Sequence, residues 1–71
     1  MEIINGNKKL AGASIGEAVN IHLITGKIEK VILTSIDKVG IEGLEANLSN
    51  QPLTFYPFTA IVKIKKFTEI T

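Results

Sequence analysis

Apolar, β-branched residues recur along this chain in short runs, each ended by glycine, proline, asparagine or serine, and no stretch sustains a helical period long enough for a bundle. Isoleucine is the commonest residue, and isoleucine favours pleated, half-buried surfaces. Such patterning builds strands joined by tight turns. The 71 residues suffice for one domain with a modest core. A domain this short needs a staple or a partner to be well buried. Cysteine is absent, which excludes disulfides, thiolate metal sites and thiol catalysis. A single histidine, His22, cannot hold zinc alone. Self-association is the expected route to further burial.

Residues 19–24 alternate, with Val19, Ile21 and Leu23 on one face and Asn20, His22 and Ile24 on the other, and Thr25-Gly26 turns the chain. Residues 27–37 are long for a strand, and their apolar positions change phase through Ile28, Val31, Leu33 and Ile36. A phase change implies a bent strand passing a barrel corner. A third strand is expected over 39–48, where Gly40 and Gly43 mark a bend or a close backbone approach. After the turn at 49–52, a short strand over 53–56 ends at Pro57, which belongs at a sheet edge. Phe58-Thr59-Ala60 is a tight link to a last strand over 61–67, with Lys63 and Lys65 opposite Val62 and Ile64. Ahead of these strands, Asn5-Gly6 suits a hairpin turn or a loose arm. Ser14-Ile15-Gly16-Glu17 has capping-box spacing and predicts one helical turn. The expected organisation is an arm or ribbon over 1–13, a five-stranded antiparallel barrel over 14–67 and a tip over 68–71.

The formal net charge is +1, from eight lysines and no arginine against seven acids. Bulk charge therefore decides nothing about nucleic acid; the placement of lysines does. Nothing resembles a signal peptide, and no apolar run approaches the roughly 20 residues of a membrane span. A soluble, cytoplasmic protein is expected.

Five short strands after a helical turn, with the second and third strongly bent, resemble the Sm-like (LSm/Hfq-type) family. Residues 16–26 look like that family's helix end, first strand and glycine turn. The interval from Gly26 to Asp37 is that of its first motif, and residues 55–64 resemble its second. The resemblance covers about residues 14–67. It implies a closed ring of identical subunits, in which the fourth strand of one pairs with the fifth of the next. Leu53, Phe55, Tyr56, Ile61, Val62 and Ile64 would form that interface. An unprotected, nearly uncharged edge strand favours such pairing.

The resemblance also implies single-stranded RNA held at two inner-rim loops, with Asp37, Lys38, Val39, Tyr56, Phe58 and Thr59 as the candidate contacts. Asp37 matches the family. Its asparagine is replaced near Gly40 and Ile41, and its stacking aromatic and basic pairs are replaced near Val39, Pro57, Phe58 and Thr59. Lys38 would meet phosphate, and Tyr56 or Phe58 would stack on a base. Core or interface packing is the competing role for both rings. Phe55 shares parity with Leu53 and is expected in the core.

Other chemistry finds little footing. His22 has no carboxylate or serine evidently beside it, so general acid–base catalysis lacks its partner. Lys63, Lys65 and Lys66, with Lys27 and Lys30, form either a basic band for phosphates or a charged outer face that protects an edge. Asp37 fits a turn that accepts backbone hydrogen bonds, and no phosphate-binding glycine loop opens a helix. The expectation is a non-enzymatic ring without cofactor or metal that binds single-stranded RNA. The alternative is a ring used as a structural or protein-interaction module.

Overall fold

The computed structural model describes residues 9–67. The hairpin expected at Asn5-Gly6 and the tip over 68–71 lie outside those residues. Strands β1 (Lys9–Leu10) and β2 (Ala13–Ser14) form a small ribbon of their own. They are followed by β3 (Ala18–Leu23), β4 (Ile28–Ile36), β5 (Gly40–Glu45), β6 (Leu53–Pro57) and β7 (Ile61–Lys66). A 3-10 turn, Phe58–Ala60, joins the last two. The five longer strands make one antiparallel sheet in the order β6-β5-β4-β3-β7. β6 and β7 lie at its two ends, so the sheet is open among the described residues and not a closed barrel.

Each turn follows from its residues. Leu10 pairs with Ala13 across Ala11-Gly12, whose φ angles of 53° and 86° are those of a type I′ hairpin turn. Between β3 and β4 the Gly26 N–H donates to the Leu23 carbonyl at 2.9 Å, and Gly26 holds a φ of 96°. That is a three-residue hairpin with a left-handed glycine. The helical turn expected at residues 14–17 is instead a single reverse turn. Glu17 N–H donates to the Ser14 carbonyl at 3.0 Å, and the Glu17 carboxylate accepts the Ser14 N–H at 2.8 Å. Half of the capping box therefore forms, the Glu17 carboxylate on the Ser14 N–H, while the Glu17 N–H bonds to the Ser14 carbonyl and not to its hydroxyl. Gly16 at φ 96° keeps the backbone out of the helical region.

The phase change in β4 has one cause. Leu33 pairs with Gly43 and Ser35 with Glu42, which leaves Thr34 as an extra residue in a bulge. Val31 and Leu33 before it and Ile36 after it thereby face the same core, whereas Ile28 lies on the outer face and is exposed. Gly43 is required where β5 crosses this bend. A Cβ there would collide with the Val31 Cγ1 and stand 2.7 Å from the Ile32 carbonyl oxygen.

Val19, Ile21, Val31, Leu33 and Ile41 are fully buried, and Ala13 of the β1–β2 ribbon joins them. Leu10, Leu23, Ile36, Ile61 and Ile64 pack around them. Two parity expectations are corrected. On β6, Tyr56 pairs with Ile41 and enters the core at 7 % exposure, while Leu53 and Phe55 face outward. On β7, Lys63 pairs with His22 but Ile61 pairs with Leu23, so Val62 bulges outward. Ile61 and Ile64, three residues apart, are the inward pair, and Val62 does not share the face of Ile64. No helix among the described residues is long and apolar enough to cross a membrane.

Candidate functional site

The loop between β4 and β5 and the 3-10 turn between β6 and β7 meet at one end of the sheet. Asp37 shapes the first. Its Oδ1 accepts the N–H groups of Val39 at 3.1 Å and Gly40 at 3.3 Å, and its own N–H donates to the Gly40 carbonyl at 3.0 Å. Aspartate is suited to this because its short carboxylate reaches backbone donors two and three residues ahead. Val39 then turns its carbonyl to the second loop and accepts the Phe58 N–H at 2.9 Å. Pro57 immediately before Phe58 lacks an N–H and fixes φ at −69°, which ends β6 and starts the 3-10 turn.

The resulting surface carries Lys38, Val39, Phe58 and Thr59 exposed together, with Val39 at 65 % and Phe58 at 37 %. Lys38 is the one cation of the two loops. Beneath them Gly40 is buried, and a Cβ there would stand 2.7 Å from the Phe55 Cζ, so the Phe55 ring partly covers the glycine on the outer face. Five of the six rim candidates are therefore brought to this end as exposed loop residues: Asp37, Lys38, Val39, Phe58 and Thr59. Tyr56 is not among them. Its ring belongs to the core, because the β5–β6 register sets it opposite Ile41, and a base cannot stack on a buried ring.

The Tyr56 hydroxyl is buried without a hydrogen-bond partner among the described residues. Burial, reinforced by the carboxylates of Glu45 and Glu29, pushes its pKa up to about 12. Glu45 is itself held by a hydrogen bond from the Thr54 hydroxyl.

The edge strands carry the remaining candidates. Leu53 and Phe55 stand out from β6 at 58 % and 45 % exposure, and Val62 from β7 at 63 %. Ile61 and Ile64 are half-buried against the core. Lysines sort into engaged and free. Lys30 Nζ lies 4.0 Å from the centre of the Phe67 ring, a cation–π contact. Lys66 Nζ is 3.9 Å from the Glu17 carboxylate. The Ser14 N–H first, and Lys66 next, hold the Glu17 carboxyl below its ordinary pKa. Among the described residues, Lys63 and Lys65 have no ion-pair partner. His22 stands on β3 between Ile28 of β4 and Lys63 of β7. No cluster of three or more histidine, aspartate or glutamate side chains suited to a metal occurs among the described residues.

Sequence reasoning missed the Val39–Phe58 bond that joins the loops, and the glycine signal at Gly40 was its nearest trace. Comparison with protein-family models, with curated proteins and with solved structures finds no match.

Proposed function

We propose that this chain is the subunit of an Sm-like homo-oligomeric ring that binds single-stranded RNA, without catalysis, at the loops over residues 37–40 and 57–59. The observation that carries the reading is the Val39–Phe58 hydrogen bond, which makes one surface of the two loops the family resemblance assigns to RNA. Phe58 offers a face for stacking, worth roughly 1–3 kcal/mol per base, and Lys38 a charge for phosphate. Each contact is weak alone, and a ring multiplies it. Ring closure is supported by the position of β6 and β7 at opposite ends of an open sheet. An edge strand with unpaired backbone groups invites another strand, and head-to-tail pairing closes when the rotation permits.

A second reading, a structural ring without RNA, draws on the burial of Tyr56 and the single cation of the two loops. Native mass spectrometry of protein purified without nuclease separates the two. A ring mass with an excess removed by ribonuclease supports RNA binding, and a clean ring mass favours the second reading. Anisotropy with oligouridine and oligoadenine then tests the site. Lys38→Ala and Phe58→Ala each weaken binding if the rim is correct, and unchanged affinity in both removes the assignment.

A further inference from the structure

The two edges of the sheet differ in charge. Residues 40–57, which form the β5–β6 side, contain Glu42 and Glu45 and no lysine, giving −2. Residues 61–66, which form β7, contain Lys63, Lys65 and Lys66 and no acid, giving +3. Lys63 and Lys65 are exposed and without an ion-pair partner among the described residues. Glu42 lies beside Phe55 in the ladder and Glu45 takes the Thr54 hydroxyl, so both acids stand one strand in from the β6 edge. β6 itself is uncharged, with Leu53 and Phe55 projecting outward.

We infer that this asymmetry sets the polarity of self-association: the lysine edge β7 accepts only the acid-backed edge β6 of a second copy, and two like edges repel. The inference rests on the ring reading above and adds what selects its head-to-tail sense. A β7–β7 pairing would bring six lysines together, and a β6–β6 pairing four glutamates. Juxtaposed like charges suppress wrong pairings, while opposite charges fix register and speed encounter. The lysines thus allow edge pairing in one direction and block it in the other, which is how charge protects an edge without abolishing its use. The occupant of the β6 edge is accordingly a second copy of this chain, and not nucleic acid on β7.

The test is charge reversal followed by mixing of full-length chains. Lys63→Glu with Lys65→Glu makes β7 net negative against the native β6 side. Glu42→Lys with Glu45→Lys makes the β6 side positive against the native β7. Each double variant alone is expected to assemble at least roughly a hundredfold more weakly than wild type, read by native mass spectrometry and sedimentation. An equimolar mixture restores assembly, with the two variants alternating. Glu42→Lys alone serves if loss of the Glu45–Thr54 bond unfolds the second variant, with circular dichroism reporting the fold. Variants that assemble alone as wild type does overturn the inference and leave the ring standing. So does a reversed β7 that keeps the ring mass but loses RNA, which assigns the lysines to phosphate. A wild-type dimer that grows no further overturns the head-to-tail sense. A wild type that stays monomeric at every concentration and salt removes the ring reading, and the inference with it.

Discussion

Val31 occupies with its Cγ1 the space that a side chain at Gly43 would need. The two residues sit on neighbouring strands at the bend of β4, where the bulge at Thr34 draws the β5 backbone close. Gly43→Ala is therefore expected to cost about 1–3 kcal/mol, the usual penalty for overpacking a filled site. Gly43→Ala combined with Val31→Ala should cost less than the sum of the two single changes, because the second vacates the colliding Cγ1 while the Ile32 carbonyl oxygen still crowds the new methyl. Urea unfolding of both single variants and the double checks this. A Gly43→Ala protein as stable as wild type would mean that β5 can shift away from the bend.

Ala11 carries a φ of 53° in a turn that needs positive φ at both central positions. Ala11→Asn supplies the residue this turn prefers, beside Gly12, and is expected to stabilise by up to about 1 kcal/mol. The same reasoning applies to Gln51, at φ 44° in the loop before β6, where Gln51→Gly is the matching change. Denaturant midpoints should rise in both variants.

Tyr56 is the only tyrosine of the chain, so tyrosinate absorbance reports it alone. Its pKa rises from 10.0 to about 12 in the fold. The unfolded chain therefore releases its proton first as pH rises. Stability is whole below about pH 10 and falls as pH climbs from there towards 12. Tyr56→Phe removes both this alkaline loss and the unpartnered hydroxyl, with neutral-pH stability unchanged or higher by about 1 kcal/mol. Tyr56→Ala, by contrast, should cost about 3–5 kcal/mol as a core truncation. An absorbance midpoint at 10 in the folded protein would contradict the burial of the ring.

Glu17 works in the opposite direction. Its folded pKa lies below the ordinary 4.5 through the Ser14 N–H and Lys66. The contribution is present above the unfolded value and is lost as pH falls through the folded one. Glu17→Gln should narrow the difference in denaturant midpoint between neutral solution and about pH 3. An unchanged difference would place the acid sensitivity in another carboxylate.

The strands were legible wherever one parity was apolar and the other polar. In β3 the set Val19, Ile21 and Leu23 does face the core, with Asn20, His22 and Ile24 opposite. On β6 alternation decides nothing, because Leu53 and Phe55 on one parity and Tyr56 on the other are all apolar enough to be buried. There the β5 register decides, by setting Tyr56 against Ile41. The β1–β2 hairpin escaped notice because alanine stands where asparagine usually signals the turn. The reverse turn at residues 14–17 carries the carboxylate bond of a helix start, from the Ser14 N–H to Glu17, so spacing alone could not tell the two apart. Both candidate rim loops could be located by position, and Asp37 by its turn chemistry. The bond between the loops is a backbone contact across distant segments, which side-chain patterning does not record.

Thr34 acts on the pleat as a corrected reading frame acts on a message. Were Thr34 paired in a regular ladder, Ile36 and Leu33, three residues apart, would point to opposite sides of β4, and Ile36 could no longer help to enclose the core. A deletion of Thr34 would make the pairs at Leu33, Ser35 and Ile36 consecutive, so Leu33 and Ile36 would still face one side, and the strand would lose its bulge but not its phase. By standing out of the ladder, one uncharged and exposed hydroxyl residue keeps both halves of the strand facing the same core.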